Sequence, residues 1–106
     1  MLKFFFAASF AAATVFVPAA ASAQGNADAA RNKVSNCVGC HEIGGYRASF
    51  PIVYSVPYIA GQSAKYIEAS LQAYKKGDRS HPTMRAIAGS LSDQDIADLA
   101  AYYGTK

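Results

Sequence analysis

Apolar residues in this chain form one long block at the start and three periodic stretches after it. Phe4 to Val17 is almost unbroken hydrophobic sequence behind Met1-Leu2-Lys3, and Ala21-Ser22-Ala23 follows as a small-x-small run before Gln24. That order predicts an export signal over residues 1–23, cleaved after Ala23, and leaves the fold to residues 24–106. The alternative is an uncleaved anchor, since Phe4 to Ala21 approaches the length of a membrane span. In the remainder, Ala27, Ala30, Val34 and Cys37 recur three or four apart. This is the spacing of one helical face, and with Asn26 as cap it predicts a helix through about Cys37. A second predicted helix runs from about Ala64 to Lys76, capped by Ser63 and stopped by Gly77, with Ile67, Leu71 and Tyr74 on one face. Lys75 and Lys76 lie in its last turn, where cations suit the helix dipole. The third predicted helix starts most clearly. Ser92 and Asp95 take the two positions of a capping box, and Leu91 and Ile96 take those of a hydrophobic staple. Its buried face is Ile96, Leu99, Ala100 and Tyr103, and Gly104 ends it.

Between the first two helices the pattern breaks. Gly44-Gly45, Pro51 and Pro57 deny a long helix from Glu42 to Gln62. Ser49 to Pro57 holds too many aromatic and aliphatic residues for a solvent loop. It is read as an irregular segment packed over an internal face, with a short β-hairpin as the alternative. Asp78 to Thr83 reads as loop because His81 precedes a proline, and a helical turn around Met84 to Ala88 follows.

The chemistry concentrates at Cys37-Val38-Gly39-Cys40-His41. Two thiols three residues apart, followed at once by an imidazole, form the arrangement that anchors a c-type haem. One helical turn presents both sulfurs to two vinyl groups, and the adjacent imidazole stands under the iron. A zinc site would need about four ligands, and only Cys37, Cys40, His41 and His81 are on offer. A thioredoxin-like pair would need a strand and a βαβ framework around it. A disulfide between Cys37 and Cys40 would close too small a loop to stabilise much. Haem also answers a size problem. Residues 24–106 lie near the lower limit for an unaided core, and such scaffolds need a staple.

A haem fixed by His41 leaves one axial position. After the leader the chain offers one methionine, Met84, and one further histidine, His81, so the residues leave three possibilities: Met84, His81 or an open position. A thioether would favour reduced iron. The other imidazole nitrogen of an axial histidine needs a carbonyl or carboxylate partner, for which Pro57 is one candidate among several. Arg79 and Arg85 are candidates for the haem propionates or for solvent. The formal charge of +3 is too weak to argue for nucleic acid, and no basic run alternates with aromatics.

These residues, in this order, resemble the small monohaem class I cytochromes c, nearest the bacterial c4/c5/c553-like group. The likeness spans nearly all of residues 25–104. It rests on Cys37 to His41, on Val56-Pro57-Tyr58-Ile59-Ala60-Gly61-Gln62, and on Gly77-Asp78-Arg79. Pro82-Thr83-Met84 and the run from Leu91 to Tyr103 complete it. The resemblance implies an all-α fold of three main helices plus short turns around one covalently bound haem. It implies Met84 as sixth ligand and the Pro57 carbonyl as acceptor from His41. It also implies a periplasmic single-electron carrier, not an enzyme, with an oxidase or a dehydrogenase as redox partner. Two features depart from the simplest members: Glu42 stands where glycine usually follows the histidine, and Gly45 to Pro57 is longer and more apolar than usual. The second departure suggests a docking surface for a dedicated catalytic subunit. The alternative roles are a cytochrome subunit of a periplasmic dehydrogenase and a haem-based ligand sensor.

Overall fold

The capping box at Ser92 closes in the way its residues dictate. Ser92 Oγ accepts from the Asp95 N–H at 3.0 Å, and Asp95 Oδ2 accepts from the Ser92 N–H at 2.9 Å. The helix it starts, Asp93–Gly104, is the last of five in this computed structural model, which describes residues 13–15 and 24–106. The helices are α1 (Ala27–Ala30), α2 (Ser35–His41), α3 (Ala64–Lys76), α4 (Pro82–Gly89) and α5 (Asp93–Gly104). The only strands among the described residues are β1 (Arg47–Ala48) and β2 (Tyr54–Ser55). The expected export signal at residues 1–23 lies outside the described residues except for 13–15. Among the described residues no helix is long and apolar enough to cross a membrane.

Helix α5 is the centre of the fold. Ile96, Ala97, Leu99, Ala100 and Tyr103 are buried, and the helix packs against both α1 and α3. The apolar stripe of the first predicted helix serves this contact through Ala30, which is fully buried. The approach of α3 is closer still. A Cβ at Gly104 would lie 2.8 Å from the Ala64 Cβ, so glycine is required there for the two backbones to meet. Gly77 ends α3 in the left-handed conformation at φ 89°, as its place after Lys76 predicts.

Two expectations need correction. The single helix predicted from Asn26 to Cys37 is two helices. At the join, the Lys33 N–H donates to Ala30 O at 2.7 Å and the Cys37 N–H to Val34 O at 2.8 Å. These three-residue closures tighten the chain where regular α-helix would have continued. The segment from Ser49 to Pro57, expected to be irregular, instead takes its alternative form together with the residues before it. It forms a small antiparallel hairpin pairing Arg47 with Ser55 and Ala48 with Tyr54. A further bond runs from the Val56 N–H to Tyr46 O at 2.9 Å. Its β2 side carries Tyr54 and Val56, residue types that suit a pleated, half-buried surface. Its tip, by contrast, leaves Phe50, Ile52 and Val53 exposed.

The break between α1 and α2 places Lys33 against α5. Its Nζ lies 2.7 Å from both Asp95 Oδ1 and Asp98 Oδ2. Asp98 is only 2% exposed, and its charge is also met by the Asn26 N–H and by Gln94 Nε2, each at 2.8 Å. A buried carboxylate is tolerated only when satisfied in this way. Lys33 and the Ser92 cap hold the Asp95 carboxyl down at about 2, and Lys33 with the Asn26 N–H holds Asp98 below its ordinary value. Both folded values lie under the unfolded one, so these carboxylates stabilise fully above roughly pH 4. The contribution is lost as pH falls through about 2. The melting temperature should therefore fall steeply on acidification across that window. Asp98→Asn should start lower and fall less steeply, measured by circular dichroism.

Candidate functional site

Between α2, the hairpin, α3 and α4 lies a cavity of about 550 Å³, and a recess of about 40 Å³ extends it toward α5. Ile59, Ile67, Leu71 and Ile87 line both spaces, and Leu99 lines the recess. His41 and Met84 line both as well, with Cys40 on the larger and Cys37 on the smaller. The donors singled out in the sequence therefore meet at these two adjoining apolar spaces, although Met84 is far from the others along the chain.

Helix α2 delivers three of them. Cys37 and Cys40 are one turn apart, both half-buried and both free thiols. Burial, with help from the Glu42 charge, pushes the Cys37 thiol up from its ordinary value and keeps it neutral. His41 ends the helix, and its Nδ1 lies 2.7 Å from the Pro57 carbonyl oxygen. A carbonyl can only accept, so Nδ1 carries the proton and Nε2 keeps its lone pair.

Met84 sits in the first turn of α4, and His81 is the residue that positions that turn. His81 takes an extended backbone (φ −162°, ψ 113°) as the helix cap, and its Nδ1 accepts from the Met84 N–H at 3.3 Å. Its ring packs edge-on against Tyr54, with centroids 4.7 Å apart, and against Tyr74 at 6.5 Å. The second histidine thus has a structural task. The sequence held a signal for it, because a residue before a proline at the first helical position is a cap by placement. Arg79 lies over the Tyr74 ring, 4.6 Å from its centroid, and lines the larger cavity. Arg85 lines neither space.

One of the tyrosines that the sequence offers for haem packing or hydrogen bonding stands out. Tyr103 lines the recess beside Cys37, and its hydroxyl is the one buried side-chain polar atom without a hydrogen-bond partner among the described residues. Burial, with the nearby Cys37 and Glu42 adding to the shift, holds its phenol far above the ordinary value, so it is a neutral donor. Periodicity marks such a residue as buried but says nothing about its hydroxyl.

The donor set fits a covalently attached, iron-bearing tetrapyrrole. It comprises two free thiols one turn apart, an imidazole with Nε2 available, a thioether on a separate helix, and apolar walls. The cavity volume lies in the range that takes an organic cofactor. A caged metal ion fits less well, since no group of three or more His, Cys, Asp and Glu residues converges among the described residues.

Known proteins agree with this assignment. The chain is 42% identical over 85 residues to cytochrome c-554(548) of Halomonas halodenitrificans, covering 77% of this chain and 98% of that protein. It is 35% identical over 86 residues to cytochrome c4 of Pseudomonas aeruginosa, covering 81% of this chain and 41% of the relative, so it spans less than half of that longer protein. It is 33% identical over 69 residues to the cytochrome subunit of sulfide dehydrogenase of Chlorobaculum tepidum, covering 65% of this chain and 58% of that one. The cytochrome c family profile matches residues 24–105, and its members bind haem c covalently. From fold, donor set and these matches together, the chain belongs to the cytochrome c family, as a small class I protein of the c4-like group with one haem c.

Proposed function

We propose that this chain is a periplasmic single-electron carrier. In this reading Cys37 and Cys40 would hold the haem by thioethers, and His41 and Met84 would be the ligands of its iron. The observation that carries the proposal is the meeting of these four side chains at two adjoining apolar spaces that share His41 and Met84. The bound haem supplies an iron that cycles between two oxidation states. The protein supplies the rest. Pro57 O fixes the His41 ring and raises the basicity of its other nitrogen. The His81 cap holds the turn that carries Met84, whose neutral, soft sulfur favours the reduced state. Ile59, Ile67, Leu71 and Ile87 keep water from the site, and Arg79 offers a cation to a propionate. With His41 and Met84 both given to the iron, the haem would keep no position open to a substrate, which supports a carrier over a catalyst. The export signal expected over residues 1–23 supports a periplasmic location.

A potentiometric titration of the haem-loaded mature protein tests this. The expected result is one reversible transition with one-electron slope; an irreversible or multi-electron response would overturn it. A second reading, a cytochrome subunit of a dehydrogenase, is favoured by the name of the Chlorobaculum tepidum relative and by the exposed hairpin tip. Co-elution with a catalytic chain in fixed proportion from the native source would select it.

A further inference from the structure

We propose that the tip of the β1–β2 hairpin is the apolar anchor by which this chain docks an acidic redox protein, with Arg47 and Arg79 supplying the positive charge around it. Phe50, Ile52 and Val53 are 79%, 70% and 62% exposed. A single exposed hydrophobic residue is ordinary, but three within four positions on one turn form a patch that calls for a partner. The tip is also held in place. The ladder pairs Ala48 with Tyr54 at its base, and the Tyr54 ring packs against His81. An anchor fixed before contact loses little freedom on binding.

The occupant follows from position and charge. Directly after the tip, Tyr54 to Tyr58 form a wall of the larger cavity. A protein seated on Phe50, Ile52 and Val53 therefore lies against the site where an electron enters or leaves. Residues 43–91, which carry the hairpin, α3 and α4, hold six basic side chains against two acidic ones. Residues 24–42 and 92–106 hold three basic against five acidic. Among the described residues Arg47 and Arg79 make no ion pair, and both are exposed. The excess of positive charge on the hairpin, α3 and α4 draws them toward a negative partner during approach. Exposed arginine and tyrosine around an apolar centre is the make-up of a protein contact. Arg79 over Tyr74, with Tyr58 and Tyr66 exposed nearby on the cavity wall, matches it. A lipid surface would neither give nor take the electron.

The inference rests on the carrier reading, and its test separates the two. Haem-loaded wild-type protein and a Phe50→Ser/Ile52→Ser/Val53→Ser variant are applied to gold coated with a carboxylate monolayer or a mixed carboxylate–methyl monolayer. Bound mass is read by quartz microbalance and electron exchange by voltammetry. The wild type should bind the mixed surface about tenfold more tightly than the carboxylate surface. The triple variant should lose that preference while keeping its haem spectrum and its binding to carboxylate alone. Arg47→Glu should weaken binding to both surfaces, and added salt should do the same. Equal preference in wild type and triple variant would overturn the anchor. So would tip-dependent binding to phosphatidylglycerol vesicles, or tip-dependent self-association in sedimentation velocity, since each names another occupant. Normal binding by mass with no reversible wave would instead sink the carrier reading, and the redox partner with it.

Discussion

Expressed in a host that matures c-type cytochromes, the chain with both Cys37→Ser and Cys40→Ser should emerge without retained haem. After acid denaturation its mass should equal that of the polypeptide alone, whereas the parent should carry one haem. The single variants should keep the pigment through one thioether. The effect on the fold should be as large as the effect on colour. The cavity of about 550 Å³ is walled by α2, α3, α4 and the hairpin, which would face one another across it with little to bury. Anything bound only by the folded state adds its binding free energy to stability, and a chain this short has little core to spare. The double variant should therefore lose the cooperative thermal transition seen in the parent by circular dichroism. A full haem mass on the double variant would overturn the assignment of both thiols.

Met84→Ala should have the second largest effect. Losing the thioether should open one axial position, so that the reduced protein binds carbon monoxide at neutral pH and the parent does not. The potential should fall as well, because sulfur stabilises reduced iron, and axial ligands tune haem potentials over roughly 0.8 V. The long-wavelength sulfur-to-iron charge-transfer band of the oxidised protein should vanish. Persistence of that band would move the ligand away from Met84. Substitutions at His81 give a graded version of the same experiment. His81→Asn keeps an acceptor at the helix cap and should retain the band. His81→Ala removes the bond to the Met84 N–H, at a cap cost of about 1 kcal/mol, and should bind carbon monoxide partially. If His81 were itself the ligand, both variants would fail alike.

Helices α3 and α5 could be read from the sequence because their signals are local. Ser63 and Gly77 frame α3, and Ser92 with Asp95 starts α5, all within a turn of the residues they affect. The break after Ala30 could not be read, because Lys33 is drawn to Asp95 and Asp98 on the far side of the sequence, and no short window contains both ends. The hairpin is legible only as the alternative to an irregular segment, for a different reason. Its strands are two residues long, too short for alternation to emerge from an apolar background. At the site, the spacing of Cys37, Cys40 and His41 is by itself enough to suggest haem attachment. The cap at His81 and the unpartnered hydroxyl of Tyr103 depend on where other elements come to rest, and periodicity does not contain that information.

The two sides of the cavity are not equally secured. Helix α5 grips both α1 and α3, and α1 leads directly into the segment bearing the thiols and His41, while α4 leans chiefly on α3. Helix α4 should therefore open at lower cost than α5. Mild heat or denaturant should swing the methionine door ajar long before the covalent hinge gives way, and amide protons of α4 should trade with solvent sooner than those of α5.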